Sequence, residues 1–210
     1  MARLKKGLLN GFSGMIGNAV GYELKGQYIL RSRPKKSTKP PTEKQLACRA
    51  KMRIINSVLN GFSPFVKIGF AATAKDQTFT PYNAAVAYQL NHAITGSYPN
   101  YEIDYSKLRV TEGVIITDDL HPTVFLQGDT LLFNWTPAID YPAGTDHVML
   151  LAYAPALGQA VYNLCGAKRR TGQDVLQLPQ SWRQQKIKTY LAFRSETSSM
   201  CSNSLYLGTV

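Results

Sequence analysis

Six strand-like runs in the second half of the chain place the strongest limit on its fold. They are rich in leucine, β-branched and aromatic residues, and turn residues separate them at short intervals. The runs are TLLFNWTP (130–137), TDHVMLLAYAP (145–155), QAVYNLCG (159–166), DVLQLP (174–179), KIKTYLAFRS (186–195) and SNSLYLGTV (202–210). This spacing is typical of two antiparallel sheets packed face to face. Residues 112–210 are therefore predicted to form a β-sandwich domain.

Three large side chains make this sandwich resemble an immunoglobulin or fibronectin type III domain. Trp135 lies in an early run, Leu178 precedes a proline and a turn, and Tyr190 lies in a late run. In such folds these positions are usually core packing, and we interpret them in that way.

Residues 12–33 are predicted to form a glycine-rich β-hairpin with Lys25-Gly26 as its turn. Gly14, Gly17 and Gly21 are expected to let another part of the chain approach the first strand closely. PKKSTKPP (34–41) follows as an extended linker, because its prolines disfavour both helix and central strand.

Three helical segments follow the linker. Thr42 and Gln45 have the spacing of a capping box, which predicts a helix over about 43–60. Ser63-Pro64 begins a short segment that reaches about residue 69, and Thr80-Pro81 begins a helix that Gly96 is expected to end. Residues 101–111 alternate like a strand. The predicted fold class is α+β: an N-terminal β-hairpin plus helices in residues 1–111, and a C-terminal immunoglobulin/fibronectin III-like β-sandwich in 112–210.

Positive charge is concentrated in the first quarter of the chain. The net charge is +11, and residues 1–53 hold 13 Lys or Arg against two Glu, whereas residues 54–210 hold 11 residues of each sign. Such asymmetry suggests a basic segment that contacts a polyanion, such as nucleic acid or a ribonucleoprotein. The alternative is a solvated face that keeps the protein soluble.

Eight residues are predicted to make the polyanion contacts: Arg31, Arg33, Lys35, Lys36, Lys39, Lys44, Arg49 and Arg53. Arg31 and Arg33 end the predicted hairpin, and Lys35, Lys36 and Lys39 belong to the extended linker. The other three belong to the first helix, where Arg49, Arg53, Asn56 and Asn60 line the polar side. Tyr22 and Tyr28 are candidates for stacking on bases. Because no sequence-reading motif is present, binding is expected to depend on shape and charge and to weaken with salt.

No catalytic, metal or cofactor site is predicted, and the protein is interpreted as non-enzymatic. His92, His121 and His147 lack metal-ligand spacing, and Gly14, Gly17 and Gly21 do not form a nucleotide-binding glycine pattern. An enzyme with a site built from scattered residues remains an alternative. Lys168, Arg169 and Arg170 form a second basic cluster, expected at an exposed hairpin tip. Of the three cysteines, Cys165 and Cys201 are left open as a disulfide pair.

Several ordered segments make the whole chain resemble a bacterial domain-of-unknown-function family of basic proteins about 200 residues long. They include GFSGMIGNAVG, PPTEKQLACRAKM and PYNAAVAYQLNHAITGSYPNYEIDYSKL. The resemblance implies an N-terminal hairpin and helices before an immunoglobulin-like domain, and it supplies neither an activity nor site residues. No apolar run is long enough for a membrane span, and we expect a cytoplasmic protein. A second functional hypothesis is a structural or assembly protein, a homo-oligomer whose glycine-rich arm adds strands to a neighbouring subunit.

Overall fold

The computed structural model describes residues 2–4, 11–24, 26–35 and 38–210, which form two compact units, Met1–Thr42 and Glu43–Val210. The boundary expected at 111/112 follows a change in residue composition. The division after Thr42 follows contacts instead, because the helices beyond it share a hydrophobic core with the sandwich.

The smaller unit is a four-stranded antiparallel sheet. Its strands are β1 (Ala2–Leu4), β2 (Gly14–Ile16), β3 (Ala19–Leu24) and β4 (Gln27–Ser32), in the order β1-β4-β3-β2. The β3–β4 pair confirms the predicted hairpin: Leu24 lies opposite Gln27, and Gly26 takes the positive φ of +75° that its turn requires. Lys25, the other turn residue, lies outside the described residues. β2 and β3 form a further hairpin that the sequence pattern did not separate.

Of the three glycines expected to allow a close approach, only Gly21 does so. Among the described residues nothing lies within 4 Å of a side chain built at Gly14 or Gly17, and these two glycines have positive φ instead. A side chain at Gly21 would collide with the ring of Phe12 and lie 2.8 Å from the Phe12 carbonyl oxygen. The neighbour that approaches is therefore the segment just before β2, and only glycine leaves room for it.

The larger unit begins with the predicted helices α1 (Glu43–Asn60), α2 (Ser63–Gly69) and α3 (Pro81–His92). The hydroxyl of Thr80 accepts a hydrogen bond from the backbone N–H of Asn83 at 3.2 Å, so this residue caps α3 as predicted. Gly96 does not end the helix. It lies at φ +83° in a hairpin formed by β5 (Ile94–Ser97) and β6 (Asn100–Ile103), and the strand predicted to reach residue 111 ends at Ile103.

Seven strands complete the unit as two antiparallel sheets. They are β7 (Thr123–Gln127), β8 (Thr130–Asn134), β9 (His147–Ala154), β10 (Gln159–Asn163), β11 (Gln173–Gln177), β12 (Lys188–Arg194) and β13 (Leu205–Thr209). One sheet has the order β11-β8-β7 and the other β10-β9-β12-β13. Each of the six predicted runs overlaps one strand. The first strand of the sandwich, β7, was not predicted.

The sheet β10-β9-β12-β13 is covered on both faces, and its strand β9 shows this most clearly. Val148, Leu150 and Ala152 point into a core shared with the three-stranded sheet, whereas Met149 and Leu151 point into a core shared with the helices. Every residue of β9 from Val148 to Ala154 is consequently buried. The larger unit thus has three layers, which explains why β9 reads as a continuous apolar run without alternation.

The residues interpreted as packing are buried. Trp135 and Leu178 lie in the core between the two sheets, and Tyr190 lies in the core beneath the helices. The Tyr190 hydroxyl donates a hydrogen bond to the carbonyl oxygen of Tyr105 at 2.8 Å, which satisfies its polar end. Among the helices of the described chain, none is both long enough and apolar enough to cross a bilayer.

Gln89 on α3 is fully buried and holds the chain segment that leads into the sandwich. Its Nε2 donates to the carbonyl oxygen of Arg109 at 2.6 Å, and its Oε1 accepts from the backbone N–H of Arg109 at 3.2 Å. The side-chain amide therefore pairs with Arg109 as a neighbouring strand would, in a place where no strand lies.

We expect Gln89→Leu to lower the free energy of unfolding by roughly 2–4 kcal/mol, because two partly buried backbone groups lose their partner. Urea denaturation followed by circular dichroism measures the change. Asn91→Leu, at an exposed position of the same helix, is the matched control and should change stability by less than about 0.5 kcal/mol. Equal stability of the two variants would contradict this role of Gln89.

Candidate polyanion interface

Arg49 and Arg53 lie one turn apart on α1, and both side chains are exposed. The opposite face of the helix buries Ile55, Val58 and Leu59 against α2, α3 and the sheet. This arrangement confirms that one face of the helix packs while the other presents the two arginines. Side chains spaced by four residues point in the same direction, so both guanidinium groups can reach one ligand.

The exposed row of α1 is shorter than predicted, because Asn56 and Asn60 face α3. The hydroxyl of Tyr82 lies 3.0 Å from Asn56 Oδ1 and 2.9 Å from Asn60 Oδ1. These asparagines join two helices and do not extend the arginine row. The polar surface of α1 that is available to a ligand is therefore its amino-terminal part.

The other predicted contact residues divide between the two units. Arg33, Lys35 and Lys39 are exposed, whereas Arg31 is half-buried in β4 opposite Val20. Lys36 lies outside the described residues. Lys44 is exposed in the first turn of α1, on the same helix as the two arginines. The structure thus places Lys44, Arg49 and Arg53 on one helix, where Lys44 lies about 140° around the axis from Arg49, and Arg31 to Lys39 belong to the smaller unit.

Four carboxylates of the larger unit pair with cations outside the predicted contact set. Described ion pairs join Lys107 to Asp104 (3.2 Å), Arg109 to Glu112 (3.8 Å), Lys168 to Glu196 (2.8 Å) and Arg183 to Asp129 (2.6 Å). Within the described residues, no carboxylate forms an ion pair with Arg31, Arg33, Lys35, Lys44, Arg49 or Arg53. The positive charge of these side chains is therefore not cancelled by a neighbouring acid.

The tyrosines predicted to stack on bases do not share a surface. Tyr22 lies opposite Ile29 and Tyr28 lies opposite Glu23 in the β3–β4 ladder. Directly opposed residues point to the same face and successive residues to opposite faces, so Tyr22 and Tyr28 lie on opposite faces of the sheet. They cannot form one stacking platform.

The second basic cluster is not an exposed hairpin tip. Lys168 donates to Glu196, and this hydrogen bond holds the pKa of Glu196 below its ordinary value. Arg169 is only 8% exposed; its guanidinium lies 5.1 Å from the ring of Phe193, and its carbonyl oxygen accepts from Trp135 Nε1 at 2.7 Å. Only Arg170 remains exposed, so the cluster mainly serves the fold.

Lys51 is a basic residue of α1 outside the predicted set, and it faces away from the two arginines. Its ammonium group lies 5.0 Å above the ring of Tyr101 in the β5–β6 hairpin. A cation over an aromatic face is attracted to the ring, so Lys51 helps to attach the hairpin to the helix. Helical periodicity could have separated it from Arg49 and Arg53, because it lies about 200° around the helix from Arg49.

A cavity of about 330 Å³ is lined by Ala72, Thr73, Glu112, Gly113, Val114 and Met200. Glu112 is its one ionisable lining residue, and it faces Arg109. The lining offers no pair of acid and base. Elsewhere in the described chain no three His, Cys, Asp or Glu residues are grouped as metal ligands. His92 stacks on Tyr88, and His147 Nδ1 lies 2.9 Å from the carbonyl oxygen of Gly166.

Comparison with known proteins identifies a family for the chain. The model of DUF6266, a family of unknown function, matches residues 11–208, which run from the segment before β2 to the last strand. The chain belongs to this family. No curated protein and no solved structure matches it. The DUF6266 match confirms the family resemblance read from the sequence, and it assigns no activity to any residue.

The three cysteines of this DUF6266 chain are free thiols in two environments. Cys48 and Cys165 are exposed, whereas Cys201 is buried. A disulfide between Cys165 and Cys201 is therefore absent. Burial raises the pKa of the Cys201 thiol to about 11, so this thiol stays protonated at neutral pH and is a poor nucleophile.

We expect a thiol reagent such as Ellman's reagent to label two cysteines rapidly in the native protein at pH 8 and the third only after unfolding in guanidinium. Cys201→Ser should leave the fast native reading at two, and Cys48→Ser should lower it to one. Rapid labelling of all three thiols in the native protein would contradict the burial of Cys201.

Proposed function

We propose that the protein is a non-enzymatic binding module whose basic amino-terminal segment contacts a polyanionic partner, a nucleic acid or a ribonucleoprotein. The observation that carries the proposal is the exposure of Arg49 and Arg53 on one helix without an acidic partner among the described residues. A charged surface without internal compensation favours a partner that supplies the opposite charge.

Contacts with phosphate groups would supply the binding energy. Each guanidinium can donate two parallel hydrogen bonds to a phosphate, and the lysines act as point charges along the backbone. Neutralised phosphates release condensed counterions, so affinity falls steeply with salt and depends little on sequence. Arg31, Arg33, Lys35, Lys36 and Lys39 of the smaller unit and Lys44 of α1 are proposed as further contacts with the polymer.

The rest of the chain serves as a scaffold in this proposal, and we assign its sandwich to the immunoglobulin-like folds of the fibronectin III kind. The first, second and fifth of its seven strands share one sheet. In an immunoglobulin constant domain the fourth strand joins that sheet, whereas here the fourth strand, β10, pairs with the third, β9. We also propose a cytoplasmic location, where its partner would be a nucleic acid or a ribonucleoprotein.

Arg49→Gln combined with Arg53→Gln should weaken binding to a fluorescently labelled single-stranded DNA at low salt. Because two phosphate contacts are lost, the slope of log K against log salt should become shallower by about 1.4. Fluorescence anisotropy at a series of KCl concentrations measures both quantities, and a change of DNA sequence should leave them nearly unchanged.

Lys67→Gln combined with Lys75→Gln is the matched control, because it removes the same charge from two exposed positions of the larger unit outside residues 31–53. The control should keep the wild-type salt slope. Equal slopes in all three proteins, or an equal loss in the control, would overturn the proposal. In that case the basic segment would act only as a solvated surface.

A second candidate function is that of a structural or assembly protein whose arm mediates subunit contacts. The edge strand β2 favours it: Met15 and Ile16 are 57% and 59% exposed, and among the described strands β2 pairs only with β3. An apolar edge of this kind can add a strand from a neighbouring subunit.

Met15→Lys combined with Ile16→Lys should abolish assembly through the arm, because charge on an edge strand opposes strand addition. Light scattering at high concentration compares this variant with the wild type. A wild type whose mass does not change with the double substitution would exclude the arm as the assembly element.

A further inference from the structure

The strand β7 forms an edge of the sandwich that lacks the usual protection. Its sequence, Thr-Val-Phe-Leu-Gln, contains no charged residue and no proline, and its ladder with β8 is regular over all five residues. Natural edge strands are commonly protected by lysine, proline or a bulge. β7 has none of these, although it belongs to a chain with a net charge of +11.

Phe125 is 54% exposed and Leu126 is 47% exposed, although they are successive residues of one strand. Successive strand residues point to opposite faces, so apolar surface is uncovered on both sides of the sheet at this edge. If only one face of this strand met solvent, only one of Phe125 and Leu126 would be exposed. The pattern fits an edge that another strand continues.

The backbone of β7 also has groups that point away from the sheet. A two-residue loop, Gly128-Asp129, joins β7 to β8, so Gln127 and Thr130 form the closing hydrogen-bonded pair. Hydrogen-bonded pairs alternate along an antiparallel ladder, so the outward N–H and C=O groups belong to Val124 and Leu126. In the described chain β7 pairs with β8 alone.

The other edges of the sandwich are better covered. β10 and β11, the ends of the two sheets on one side, contact each other. The register of β13 against β12 shifts at Thr189/Tyr190, and Gly208 in β13 has φ +105°, so this edge is irregular. Among the strands of the sandwich, β7 is thus the regular and uncovered edge.

We propose that β7 pairs antiparallel with β7 of a second copy about a two-fold axis at Phe125. In this register Thr123 lies opposite Gln127, Val124 lies opposite Leu126, and Phe125 lies opposite Phe125 of the other copy. Polar residues meet polar residues, aliphatic residues meet aliphatic residues and the aromatic rings meet each other. The strand is therefore complementary to itself.

The hydrogen bonds fit the same register. Val124 of one copy and Leu126 of the other form a hydrogen-bonded pair on each side of the axis, which gives four bonds from the groups that point outward. Phe125 and its mate form a non-hydrogen-bonded pair, the kind whose side chains lie closest. The two three-stranded sheets become one six-stranded sheet, with the row Phe125, Leu132 and Val175 continued across the axis.

Charge favours a second copy as the occupant. Every residue of β7 is neutral, so two strongly cationic chains meet at this edge without apposed like charges. A polyanion would find no cation there. The contact is short compared with a permanent interface, so the dimer should be reversible and should form with increasing concentration.

Phe125→Cys tests the register directly, in a protein that carries Cys48→Ser and Cys165→Ser to remove the exposed native thiols. The two introduced thiols face each other across the axis at about 4.5 Å between Cα atoms, within the range of a disulfide. Mild oxidation should yield a covalent dimer. Thr123→Cys in the same background is the matched control, because its thiols lie about 14 Å apart along the strands and should not cross-link.

Sedimentation equilibrium tests the contact without a cross-link. The wild-type mass should rise from 23.3 kDa towards twice that value with concentration, whereas Phe125→Lys should remain monomeric with unchanged circular dichroism. Met15→Lys with Ile16→Lys should still dimerise, which separates this contact from assembly through the arm. A wild type that stays at 23.3 kDa at every concentration, or equal cross-linking of Thr123→Cys and Phe125→Cys, would overturn the proposal.

Discussion

The four-stranded sheet, buried on both faces, is the constraint on which the rest of the larger unit depends. Its side chains alternate between a helical layer and a second sheet, so it must exclude charge from nearly all of its interior. Several buried polar groups of the cores are paired individually, as with Tyr190 and Tyr105 or Gln89 and Arg109. The charged residues are left to the periphery: the outward face of α1, the loops and the ends of strands. The layered core thereby restricts the residues that could contact a charged ligand to the periphery of the unit.

Charged side chains of the sandwich and of α1 differ in whether they have partners of opposite charge. Several cations of the sandwich have acidic partners: Arg183 pairs with Asp129, and Lys168 pairs with Glu196. Exposed pairs of this kind add little stability, yet they leave little net field around them. The arginines on α1 have no such compensation among the described residues. A field that survives at the surface acts over about a Debye length, roughly 8 Å at physiological salt, so its natural ligand is one that comes into contact.

Features that depend on neighbours along the chain could be predicted from the sequence. Features that depend on partners distant in the chain could not be predicted. Thr80 caps a helix whose first turn follows it directly, and α1 begins and ends where local signals indicate. The roles of Gln89, Asn56 and Asn60 depend on Arg109 and Tyr82, which lie twenty or more residues away. The separation of Tyr22 from Tyr28 is a matter of register, which composition does not show. The strand β7 was missed because its apolar run is only three residues long, although its neutral sequence of strand-forming residues between Pro122 and Gly128 was a usable signal.

The helix also fixes the distance between Arg49 and Arg53 along its axis. An α-helix rises about 1.5 Å per residue, so the Cα atoms of these residues are separated by about 6 Å along the helix axis. Helix α1 is regular over this turn, so the points at which the two arginine side chains leave the backbone keep a fixed separation. The guanidinium groups at the ends of these long side chains can still adjust their positions to a ligand. The hydrogen bonds from the Tyr82 hydroxyl to Asn56 and Asn60 hold the following part of α1 against α3.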